Sequence, residues 1–176
     1  LMVTEGKRKY QQNAFARYLS AIVWEADKNW NDAYLDYKLA YQLMPDFPGI
    51  GEDLWRLANR LENDRDKTKW EQQFQHTAAQ KARAKARAAP DRPGEIVVLF
   101  QNGLSPIKHP DPNFYSLPKF FPRANPVSNA AVSISSKGQI VEEGQTNVLM
   151  DIEAVAIQNL EEKWGGIVAK KMAGIV

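Results

Sequence analysis

Apolar positions recur at intervals of three and four from the first tens of residues onward. Phe15, Tyr18, Leu19, Ile22 and Val23 share one face of a predicted helix. The polar stretch Asp27 to Asn31 interrupts the period. Ala33, Tyr37, Ala40, Tyr41 and Met44 resume it, and Pro45 closes it. The pattern predicts two short helices joined by a tight turn. Ala21 and Ala33 are small enough to let them touch, with Trp24 and Tyr37 filling the space beside them. A weaker unit follows. Leu54, Trp55, Leu57, Ala58 and Leu61 form a helix face after Gly51, and Asn63 to Asp66 reads as a turn. Trp70 and Phe74 begin a further helix, expected to run on through Ala78 to Ala89.

The pattern changes at Pro90–Gly94. Ile96 to Phe100 is a short, continuously apolar run, expected to be a strand buried on both faces. Asn102-Gly103 signals a turn. Six of the ten prolines fall within residues 104–126, a density that excludes helix and central strand. This loop also carries Phe114, Tyr115, Leu117, Phe120 and Phe121, so it either packs across its own domain or docks on a neighbour. Val132 and Ile134 alternate with Ser133 and Ser135 as in a half-buried strand. Lys137-Gly138 supplies a turn, and a short strand, Gln139 to Glu142, is expected to break at Gly144. Asp151 caps a helix whose face is Ile152, Val155, Ala156, Leu160 and Trp164. Gly165-Gly166 is expected to end it, with another helix from Ile167.

Composition narrows the class. The chain has 176 residues, 44% hydrophobic and 25% charged, which fits a globular protein of one domain or two small ones. The net charge of +2 points to no nucleic-acid partner, and no apolar run is long enough to span a membrane. With no cysteine, disulfides, thiolate metal sites and a cysteine nucleophile are excluded. The two histidines, His76 and His109, make a histidine-rich metal centre improbable. The chain starts at Leu1 and stops within helical-looking sequence, which reads as a trimmed or interior piece of a longer protein.

Candidate chemistry is sparse. Lys81, Arg83, Lys85 and Arg87 alternate with alanine, which spreads charge around a helix rather than onto one face. The stretch reads as a solvated helix rather than a patch for phosphate or anionic lipid. His109 beside Asp111 has only Ser105 and Ser116 near it as nucleophiles and reads as structural. Glu142, Glu143, Glu153, Glu161 and Glu162 read as water-facing carboxylates. No catalytic set, metal site or cofactor is expected.

The spacing of Ala21 and Trp24, then Ala33, Tyr37, Ala40 and Pro45, resembles a tetratricopeptide (TPR) repeat over about 34 residues. Arg17 and Ser20 depart from that pattern, as does Lys67 in the second unit. Over residues 45–176 the chain also resembles an uncharacterised family of bacterial envelope lipoproteins with N-terminal TPR repeats. Gly94, Glu95, Val97, Val98, Asn102, Gly103, Pro106 and Lys108 carry the first part of the likeness. Asp151, Glu153, Ala154, Ala156, Asn159 and Leu160 carry the last. The resemblance implies the periplasmic side of the outer membrane and an N-terminal lipid on a cysteine that this chain lacks.

The expected fold is α+β, with TPR-like helical hairpins over 1–90 and a small β-containing module with a proline-rich loop and C-terminal helices over 91–176. The expected role is a non-enzymatic scaffold subunit of a cell-envelope assembly. The alternative is a regulatory adaptor of a cell-wall synthase or hydrolase. Partners would be envelope proteins, including copies of itself. Trp24, Trp30, Tyr34, Tyr41 and Trp55, with Tyr18 beside them, and Phe114, Tyr115, Phe120 and Phe121 are the candidate partner-binding residues.

Overall fold

A computed structural model describes residues 13–88, 96–114 and 116–174. It is mixed α+β, with helices first and two small antiparallel sheets after them. Two compact units divide between Val98 and Leu99. The expected boundary at Pro90–Gly94 lies outside the described residues, as does Tyr115.

In the first unit, α1 (Ala14–Ala26) and α2 (Trp30–Leu43) form the expected hairpin. Asn13 caps α1 by accepting from the Ala16 backbone N–H at 3.0 Å. The turn between the helices is a Schellman motif. Asn29 N–H reaches the Trp24 carbonyl at 2.8 Å, and Lys28 N–H reaches Glu25 at 3.0 Å. Lys28 takes the left-handed conformation there, with φ of 62°. Ala21 and Ala33 are wholly buried, so the helices approach at these small side chains. The ring of Tyr18 meets Tyr37 and Phe47 edge-on at 5.3 and 5.0 Å.

The second hairpin joins α3 (Ile50–Arg60) to α4 (Asp64–Phe74) and repeats the same turn. Asn63 N–H bonds Ala58 at 2.9 Å, Glu62 N–H bonds Asn59 at 3.3 Å, and Glu62 has φ of 55°. Lys28 and Glu62, Asn29 and Asn63, and the first residues of α2 and α4 are each 34 positions apart. The helix expected to continue from Trp70 into the alanine-rich segment instead breaks. Gln75 turns left-handed at φ 46°, and α5 (Ala78–Ala88) starts afresh. Thr77 and Gln80 form a reciprocal capping box. Gln80 N–H donates to Thr77 Oγ1 at 3.2 Å, and Thr77 N–H donates to Gln80 Oε1 at 2.9 Å.

Helix α3 is the hub, packed by α2, α4 and α5. Every residue from Ile50 to Ala58 is buried, including Glu52, Asp53 and Arg56. Gly51 is where α4 comes closest: a Cβ there would sit 2.6 Å from the Phe74 ring.

Ile96 to Phe100, which spans the division at Val98 and Leu99, does not form the expected buried strand. Its side chains are 43–67% exposed. A doubly buried strand needs partners on both edges, and the described sheets have two strands each.

In the second unit the proline-rich segment is not a loop throughout. It folds into a hairpin of β1 (Ile107–Pro110) and β2 (Pro118–Phe121), with Pro110 opposite Pro118. Each strand of a two-stranded ladder has a free edge, where a residue lacking N–H costs nothing. Strands β3 (Ala131–Ser136) and β4 (Gln139–Gln145) join through Lys137 and Gly138, both at positive φ as a type I′ turn requires. β4 passes through Gly144 rather than breaking there, and a register shift beside Ile134 and Ser135 marks a bulge. Helix α6 (Ile152–Met172), capped by Asp151, runs straight through Gly165-Gly166, so one helix replaces the expected two. Half-buried Trp164, Ile167 and Val168 flank the glycines, and packing outweighs a cost of about 1 kcal/mol per glycine. Ile152, expected on the inner face, is exposed. Arg123 N–H donates to Glu153 Oε1 at 2.7 Å, and Lys171 Nζ donates to the Ser116 carbonyl at 3.2 Å, tying both ends of α6 to the proline-rich segment.

Candidate functional site

The charges of the first unit close on one another. Arg56 is 2% exposed. Its guanidinium grips Glu25 with two hydrogen bonds, the one from Nη2 to Oε2 at 2.8 Å, and reaches Asp53 Oδ1 at 2.9 Å. Tyr37 donates to Glu25 at 3.2 Å, Tyr18 to Asp53 at 2.6 Å, and Arg87 Nη1 to Asp53 at 3.0 Å. Burial opposes the Arg56 charge, but the two carboxylates outweigh it and hold the guanidinium protonated. Burial, followed by the charge of Asp53, pushes the Tyr18 and Tyr37 hydroxyls far up, so both remain donors.

Helix α5 joins this network. Lys81 pairs with Glu71 at 3.0 Å, Arg83 with Glu52 at 2.5 and 3.0 Å, and Arg87 with Asp53. The alternating basic helix is solvated over Arg83 and Lys85, as expected, yet three of its cations also tie it to α3 and α4. Ala84, wholly buried, sets the contact face between them. The Lys81 ammonium and the Trp55 indole N–H hold the half-buried Glu71 carboxyl below its ordinary range.

The candidate aromatics of this unit mostly belong to the packing. Tyr34 is buried; its hydroxyl donates to Asp66 at 2.7 Å and accepts from Trp70 Nε1 at 2.8 Å. That hydrogen bond, followed by Lys38, holds the Asp66 carboxyl low. Trp55 is buried, its indole donating to Glu71 at 3.1 Å. Tyr34 is enclosed because α4 folds over it, whereas Trp55, though buried, lines a cleft of about 260 Å³ with Arg56, Asn59, Ala84 and Lys85. Tyr41 is half-buried with Trp70 and Phe74 edge-on at 5.5 and 5.6 Å, and accepts from Gln73. Tyr18 is half-buried as described. Trp30 is half-buried beneath the Arg60 guanidinium at 3.8 Å. Trp24 remains 37% exposed.

The second unit presents its aromatic side chains more openly, with Phe114 far more exposed than Trp55. The β1–β2 hairpin and α6 enclose a cleft of about 240 Å³. Phe114 and Phe120, both candidates, line it together with Lys119 and Asp111 from the hairpin. Ile157, Leu160, Glu161 and Trp164 line it from α6. Phe114 stands 60% exposed, Phe120 half-buried. Phe121 lies instead beside His109, ring centres 6.2 Å apart. Asp111 is 5% exposed. Its Oδ1 accepts from Asn113 and Phe114 N–H at 2.7 and 3.2 Å, which shapes the hairpin loop; its Oδ2 stands 3.9 Å from Lys119 Nζ. Glu142 and Glu143 lie on the exposed β4.

The helical spacing puts Leu160 and Trp164 on one apolar face and reads Glu161 as water-facing, and the structure brings all three to the cleft. The available signal was the acidic residue embedded in the face of Ile157, Leu160 and Trp164. The chain matches no known family, no curated protein and no solved structure.

Proposed function

We propose that this protein is a binding scaffold, and that the cleft of the second unit is where a protein partner docks. The observation that carries the reading is the aromatic cleft itself, with Phe114 held 60% exposed at its rim by the Asp111 loop. A large aromatic ring fixed in the open beside two others is the composition of an interface anchor. A cleft of about 240 Å³ is smaller than most cofactor sites and suits a side chain of a partner.

The helical unit is read as two TPR-like repeats with α5 as their terminal cap. The 34-residue offset between identical turns supports that reading, as does the small-residue contact at Ala21 and Ala33. In this reading the first unit is a stiff mount rather than a catalyst, since its buried ionisable groups are committed to one another. The periplasmic, outer-membrane setting and the envelope-assembly role rest on the family resemblance of residues 45–176.

A photo-crosslinking residue placed at Phe114, with one at the exposed Met172 as control, tests this in cells. The expected result is a discrete adduct at Phe114, identified by mass spectrometry as one envelope protein or a second copy. Adducts with a cell-wall synthase or hydrolase would move the protein to the regulatory adaptor. Equal labelling at both positions overturns the docking role.

A further inference from the structure

The lining of the cleft specifies more than an apolar anchor. Its charged side chains are Asp111, Glu161 and Lys119, a net charge of −1 at neutral pH. One carboxylate, Asp111, is almost wholly buried, and among the described residues its Oδ2 faces the Lys119 ammonium at 3.9 Å, beyond hydrogen-bond distance. Lys119 is itself half-exposed, its ammonium also lying 5.9 Å from the Phe121 ring centre. The rings of Phe114 and Phe120 line the hairpin side with Asp111, and the ring of Trp164 lines the α6 side with Glu161. Aromatic faces carry negative potential and attract a cation held above them. Each wall thus sets a carboxylate beside aromatic rings, a lining that suits a positive group on an apolar stem.

We propose that the cleft takes a basic side chain, arginine or lysine, from an exposed segment of the partner. The proposal rests on the docking reading above. The cationic head displaces Lys119 from Asp111 and lies between the Asp111 and Glu161 carboxylates, while its methylenes pack on Trp164 and Leu160. A planar guanidinium stacks on rings and bonds a carboxylate with two parallel N–H groups, so arginine is the better fit.

The test uses the whole chain labelled with ¹⁵N and capped tripeptides whose central residue is arginine, lysine, norleucine or glutamate. The Trp164 indole N–H resonance, assigned by Trp164→Phe, reports occupancy. The expected order is arginine, lysine, then norleucine, with glutamate weakest. Arginine should bind at least about tenfold tighter than norleucine, and the margin should shrink as salt is raised from 0.1 to 0.5 M. Glu161 is exposed, so Glu161→Gln keeps the fold and should weaken arginine severalfold while leaving norleucine unchanged. Norleucine equal to arginine, or an unchanged arginine affinity in Glu161→Gln, overturns the proposal. If Phe114 still captures a partner in cells under that outcome, the docking reading survives and the basic-side-chain specificity does not.

Discussion

Gly51 and His76 show how single positions carry the first unit. Gly51 lies on the buried helix α3 with the Phe74 ring in the space a Cβ would take. An aromatic ring in a packed core cannot move aside freely, so Gly51→Ala should destabilise the unit by about 1–3 kcal/mol in chemical denaturation. His76 sits between Trp55 and Phe74, ring centres 5.9 and 5.8 Å away. Burial depresses its pKa; the backbone of Gly51 and the charges of Glu52 and Glu71 oppose that shift, and Lys81 adds to it. A depressed pKa means that the unfolded chain binds the proton more readily than the fold does. Stability from this group is full above the unfolded value of about 6.5 and is lost as pH falls below it toward the folded value. Denaturation midpoints measured from pH 7.5 to 5 should therefore decline, and His76→Phe should flatten that part of the profile.

At the level of elements, α5 depends on two small devices. One is the ion pairs of Lys81, Arg83 and Arg87 with α3 and α4; the other is the Thr77–Gln80 capping box. The box supplies partners for N–H groups that a helix start otherwise leaves open. Thr77→Ala should cost about 1 kcal/mol, within the range for N-cap loss, and Thr77→Ser should restore most of it. Amide exchange should localise the loss to Lys81 and its neighbours in the first turns of α5. The break before α5 was legible as Thr-Ala-Ala-Gln, a capping signature that the surrounding alanines obscured. The break expected at Gly165-Gly166 was a false stop, because glycine ends a helix only where packing lets the chain turn away.

For the whole molecule, burial is uneven. The hydrophobic cluster built on α3 takes in residues from α1 to α5. Among the described residues of the second unit, Leu117 is the one large apolar side chain that is fully buried, and α6 has none. Two-stranded hairpins are marginal without a covered face. Opening free energies should follow this difference. Hydrogen exchange should be slowest, by orders of magnitude, in α2 and α3, and fast in β3 and β4. Protection rising in β1, β2 and α6 on partner binding would place the ordering where the cleft lies. Uniform protection across both units would contradict the picture.

Local signals were enough for the helical hairpin and several caps and turns. The period of three and four from Phe15 to Met44, Pro45, the Lys137-Gly138 turn and the Asp151 cap act through near neighbours, so residue order alone determines them. Tertiary structure decided which charges are buried. The face of α3 bearing Glu52, Asp53 and Arg56 is charged in sequence, and it becomes interior because α1 meets it through Tyr18 and Glu25 and α5 through Arg83 and Arg87. It likewise decided that Ile96 to Phe100 forms no strand and that prolines enter one, since both outcomes depend on which edges find partners. The cleft belongs to the same class. Phe114 and Trp164 are 50 positions apart, and no short-range pattern could show that a hairpin loop and a helix face would meet around them.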